Sequence, residues 1–122
     1  MDTNCRYDLE GFSIDLGLPD EDMADLFSDF IKEINSEISK VKICLAEKDL
    51  DGIERINHNI KGISVNYRIL DIYEETIKIS KVLKNGDYDN IQPLYDNFFV
   101  ITENAIKTIA YYFEQKSFVI AS

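Results

Sequence analysis

Apolar residues recur every three or four positions along most of this chain, the spacing that gives an amphipathic helix one oily face. The longest such line runs through Met23, Phe27, Phe30, Ile34, Ile38, Val41 and Leu45, with Leu26 and Ile31 widening it. Leu18-Pro19-Asp20-Glu21-Asp22 precedes it. Asp20 is placed to cap free amides, and Glu21 and Asp22 sit at the positive end of the helix dipole, so a long helix is expected from about Asp20 to Lys48. Asp49 opens a second line, Ile53, Ile56, Ile60, Ile63 and Tyr67. A third helix is expected from about Leu70 to Asn85, with Ile72, Thr76, Ile79 and Leu83 on one edge and Tyr73, Ile77 and Val82 beside them. Gly86 suits its C-terminal cap. Asp87-Tyr88-Asp89-Asn90 leads to the fourth, Ile91, Leu94, Phe98, Ile101, Ala105, Ile109 and Tyr112, with Pro93 near the first turn, where a missing amide does little harm. Upstream, Leu9, Phe12, Ile14 and Leu16 suit a short helix or an irregular segment that covers one end of the core.

The β-branched residues keep helical rather than alternating spacing, so no strand is expected. Four amphipathic helices with short connections predict an all-α fold, an antiparallel up-and-down four-helix bundle with a short N-terminal capping segment. The chain of 122 residues has room for one domain, 1–122. Its core is expected to span about 18–113, with a tail from 114 to 122 that packs or frays. Phe27, Phe30, Phe98, Phe99, Tyr111, Tyr112 and Phe113 are expected in the core or at its edge.

Composition narrows the function classes. Hydrophobic residues make up 45% and charged residues 30%, a soluble globular balance, and the net charge of −10 opposes binding to nucleic acid or to anionic membrane surfaces. The longest strongly apolar run, Phe98-Phe99-Val100-Ile101, is far short of the roughly 20 residues that span a bilayer. Met1 to Asp8 lacks a basic lead followed by an apolar core, so no secretory signal is expected and the cytoplasm is the natural compartment. Cys5 and Cys44 are too far apart for a metal or redox pair, and both are expected as free thiols, Cys44 buried.

The candidate chemistry lies in His58-Asn59-Ile60-Lys61-Gly62-Ile63-Ser64, around the only histidine. At about 100° per residue, Ile53, Ile56, Ile60, Ile63 and Tyr67 fall roughly 140–180° away from His58, so the imidazole is expected to face solvent. Arg55 and Lys61 flank it on opposite sides, about 60° around the axis, where they could neutralise phosphoryl oxygens. Gly62 lies one turn away. A glycine inside a helix costs about 1 kcal/mol relative to alanine, which suggests that something approaches the backbone there. Glu54, four residues before His58, either polarises the ring or is an ordinary surface carboxylate. A neutral ring nitrogen can attack phosphorus and later leave, so one histidine suffices for a shuttle.

This segment resembles the phosphoacceptor motif of histidine-containing phosphotransfer domains, roughly His-x-Leu-Lys-Gly-x-Ser. The resemblance extends through helix order and apolar pattern from about Leu18 to Phe113, and only the seven motif residues are specific. It implies a bundle with His58 as the phosphorylation site, Lys61 supporting the phosphoryl group, Gly62 allowing close docking and Ser64 as a small supporting residue. It also implies no intrinsic kinase activity and no metal held by this chain, the Mg²⁺ belonging to a partner receiver domain with a phosphorylatable aspartate. Receiver domains or a hybrid histidine kinase are the implied partners, and a monomer is expected. Many family members follow the motif with Leu-Gly, where this chain has Tyr67-Arg68, and Arg68 is given no site role.

Other chemistries fail on inventory. One histidine cannot supply the two Glu-x-x-His units of a di-iron bundle. Gly62-Ile63-Ser64-Val65-Asn66 lacks the last glycine of a nucleophile elbow, and no phosphate-binding glycine loop is present. Asp87, Asp89 and Asn90 lack the spacing of a calcium loop. Two readings compete with a relay carrier: a non-catalytic bundle that docks a signalling partner, and the phosphoacceptor domain of a chemotaxis-type kinase.

Overall fold

Two of the helices open on an aspartate whose side chain caps the first turn. The structure, a computed structural model, describes residues 6–120. Cys5 and the last two residues lie outside the described residues. The elements are α1 (Leu9–Leu16), α2 (Asp20–Glu47), α3 (Leu50–Asn66), α4 (Leu70–Lys84), a 3₁₀ turn (Tyr88–Asn90) and α5 (Ile91–Gln115). No strand occurs among the described residues. The Asp8 side chain accepts the Gly11 amide at the start of α1, and Asp49 accepts the Gly52 amide at the start of α3, both at 3.0 Å. Asp20 does not cap α2 as expected. Pro19 takes that position in extended backbone, and Asp20 is the first helical residue, its carboxylate 3.3 Å from Lys116 at the end of α5.

The apolar faces meet in one core. α3 packs on α2 and α4, α4 on α5, and α5 returns to α2. Phe27, Phe30, Ile34, Val41, Ile60, Ile72, Ile79, Phe98 and Phe113 are fully or almost fully buried, and Tyr67 edges in against Phe27 and Phe30 at 5.4 and 5.0 Å between ring centroids. On α5 the innermost line passes through Tyr95 and Thr102 rather than Leu94 and Ile101, which lie at its edge.

Two expectations need correction, the width of the core and the faces of Tyr111, Ile14 and Leu16. The core is wider than 18–113, because Tyr7, Leu9 and Phe12 are buried at one end and Ile120 at the other. Of the two outcomes open to the tail, its described residues show packing, since α5 continues to Gln115 and Phe118 also touches the core. Tyr111 is 60% exposed, on the far side of α5 from Ile109 and Phe113, and Ile14 and Leu16 face outward from α1. No helix among the described residues is long and apolar enough to cross a membrane.

Candidate functional site

α3 presents its residues by a simple division of faces. Ile53, Ile56 and Ile60 are buried against the core, and His58, opposite them, is exposed. Arg55 is exposed and Lys61 half-buried on the two flanks of the ring. Glu54 is exposed and, among the described residues, makes no hydrogen bond or ion pair with His58. Gly62 lies open one turn along: a Cβ placed there would meet no atom of the rest of the fold within 4 Å. Ser64 belongs elsewhere. It is fully buried, its Oγ donates to the Lys61 carbonyl at 2.9 Å, and it stands about 120° around the helix from His58.

His58 rises between two grooves. On the α2 side a groove of about 690 Å³ is lined by Lys32, Glu33, Ser36, Glu37, Lys40 and Gly62, among others. On the α4 side one of about 510 Å³ is lined by Asp51, Glu54, Arg55, Lys61, Ser80 and Lys84. Five cations therefore meet four carboxylates along the two grooves, in a chain with 13 cationic against 23 acidic residues. The site is locally balanced while the rest of the chain is strongly acidic. Among the described residues Lys32, Arg55, Lys61 and Lys84 form no ion pair, so their charge is available to an incoming anion. Lys40 is engaged, 3.2 Å from the buried carboxylate of Glu37.

Lys32, Lys40, Ser80 and Lys84 are site residues that sequence reasoning missed. Lys32, Ser36 and Lys40 follow one another at spacing four, a visible polar stripe of α2, but nothing local says which helix the stripe borders. Ser80 and Lys84 reach His58 only through the packing of α4 on α3.

Two nearby groups are structural. Burial, with Glu33 beside it, pushes the Tyr67 hydroxyl up to about 12, so it stays a neutral phenol anchored in the core. Burial likewise pushes the Cys44 thiol up, and Asp49 adds to the shift, which disfavours the reactive thiolate. Arg68, where the motif family commonly has glycine, adopts a left-handed backbone at φ 60° and pairs with Asp15 at 2.8 Å, remote from His58.

No protein-family model matches the sequence, and no curated protein or solved structure matches the chain.

Proposed function

We propose that this chain is a phosphohistidine carrier of the histidine-containing phosphotransfer kind, working in the cytoplasm of a two-component relay. In this reading α2 to α5 form one antiparallel, up-and-down bundle domain capped by α1, a topology favoured by the closed packing order and by turns as short as Lys48-Asp49. The carrier is monomeric, has no kinase activity, and exchanges phosphate with receiver domains, or with a hybrid histidine kinase through its receiver.

The observation that carries the proposal is an exposed imidazole between two cation-bearing grooves, beside a helix glycine that the fold itself does not require. A ring nitrogen of His58 attacks the phosphorus of an aspartyl phosphate. The N–P bond forms as the P–O bond to the aspartate breaks, and the electron pair leaves with the receiver's carboxylate. Transfer onward is the reverse step on a second receiver. Lys61 and Arg55, with Lys84 across the α4 groove, offset charge on the phosphoryl oxygens. The Mg²⁺ that such a reaction uses belongs to the receiver. Open space above Gly62 lets the partner's backbone come close.

Incubation with receiver domains charged by acetyl phosphate tests this. Wild type should take label from at least one receiver and return it, and His58→Gln should take none. Label retained by His58→Gln would refute the assignment. Stable receiver binding without labelling would favour a pure docking bundle, and labelling by a kinase catalytic domain alone would favour a chemotaxis-type phosphoacceptor domain.

A further inference from the structure

His58 stands between two asparagines, and each ties α3 to a different neighbour. The Asn57 side chain is buried and donates to the Thr76 carbonyl of α4 at 3.1 Å. The Asn59 amide donates to the Glu37 carboxylate of α2 at 2.8 Å. Glu37 is itself only 7% exposed and is held by Lys40 from one turn further along α2. Apolar packing alone sets helix rotation loosely, because isoleucines on a broad stripe tolerate small turns about the axis. Directional bonds from successive sides of one helix do not.

We infer that Asn57, Asn59 and Glu37 are positioning residues, which fix the rotation of α3 so that the His58 ring nitrogen meets the partner's phosphorus in line. The inference rests on the carrier reading above. Side chains reach about 5–6 Å from a helix axis, so a rotation of about 10° moves a tip by about 1 Å. A displacement of about 1 Å at the reacting atoms can cost about 100-fold in rate. Asn57 and Asn59 border the two grooves beside His58, but their side-chain amides are spent on Thr76 and Glu37, so the loss belongs in the transfer step and not in docking.

Two donors separate geometry from nucleophilicity. Phosphoramidate, a small donor, needs no docked orientation, whereas a receiver domain charged by acetyl phosphate does. For Asn59→Ala the ratio of receiver-driven to phosphoramidate-driven labelling should fall at least about 10-fold. The receiver concentration giving half-maximal rate should stay at its wild-type value. Asn57→Ala should act in the same direction, with circular dichroism and thermal melts confirming its fold.

Asn59→Asp sets two carboxylates face to face and should be slow. Adding Glu37→Gln to it restores a donor and an acceptor with their roles exchanged, and should recover most of the rate. An Asn59→Ala ratio equal to wild type, or an Asn59→Asp defect untouched by Glu37→Gln, would overturn the positioning role while leaving the carrier reading standing. A wild-type chain that takes no label at His58 from any charged receiver would instead remove the carrier reading, and this inference with it.

Discussion

Gly52 and Gly62 sit on the same helix for opposite reasons. A Cβ on Gly52 would lie 2.7 Å from the Cys44 sulfur and 2.5 Å from an Asp49 carboxylate oxygen, so the α2–α3 corner closes only around a hydrogen. Gly62 faces open space. Gly52→Ala should therefore lower stability by about 1–3 kcal/mol through overpacking. Gly62→Ala should raise it by about 0.4–1 kcal/mol by restricting the unfolded chain. Urea titration measures both, and a destabilised Gly62→Ala would mean that the fold needs this glycine after all. In the carrier reading the more stable variant should also transfer phosphate more slowly, because its methyl group fills the approach path. At this scale the exposure of His58 was legible, since the isoleucines opposite it fix the buried face. The burial of Ser64 was not: membership of a seven-residue motif says nothing about angle, and six positions carry the chain to the core side of the helix.

Among the elements, α1 shows how a short helix is held without a long oily stripe. Leu9 and Phe12 are its only buried residues, so Arg68 reinforces them. Its guanidinium lies 4.4 Å from the Phe12 ring centre and 2.8 Å from an Asp15 oxygen. At the same time Arg68 occupies the left-handed region, which costs a non-glycine residue about 1–2 kcal/mol. The exposed ion pair returns about 0.2–1 kcal/mol and the cation–π contact about 0.5–1 kcal/mol. Arg68→Ala keeps the strain and loses both contacts, so it should cost about 1 kcal/mol and lower the melting temperature by several degrees. Arg68→Gly loses the contacts and the strain together, and should melt close to wild type. A glycine variant as unstable as the alanine one would contradict this account. Helix positions were readable from the periodicity to within a residue or two. The turns were less so: Lys48 and Arg68 hold left-handed conformations that no glycine announces, and Asp20 yields the capping position because Pro19 is already extended. On α5, Tyr95 and Thr102 carry polar atoms, so the apolar pattern favours Leu94 and Ile101, which lie only at the core's edge.

At the scale of the whole molecule, charge separates the site from its surroundings. The acidic excess lies mainly outside the two grooves beside His58, which gather cations from α2, α3 and α4. In the carrier reading, a locally balanced face on an acidic body would accept a phosphoryl group without a strong general affinity for nucleic acid. The all-helical class was legible because every apolar line had one period. Convergence of Lys32, Lys40, Ser80 and Lys84 on the histidine was not, because it depends on which helices adjoin in space. The most direct measurement is peptide mapping of the chain after exchange with a charged receiver, kept at neutral to alkaline pH, with ³¹P NMR of the intact product. The account predicts a single acid-labile N–P phosphoryl group on the peptide containing His58. Acid-stable phosphate, or a phosphoryl group on any other residue, would contradict it.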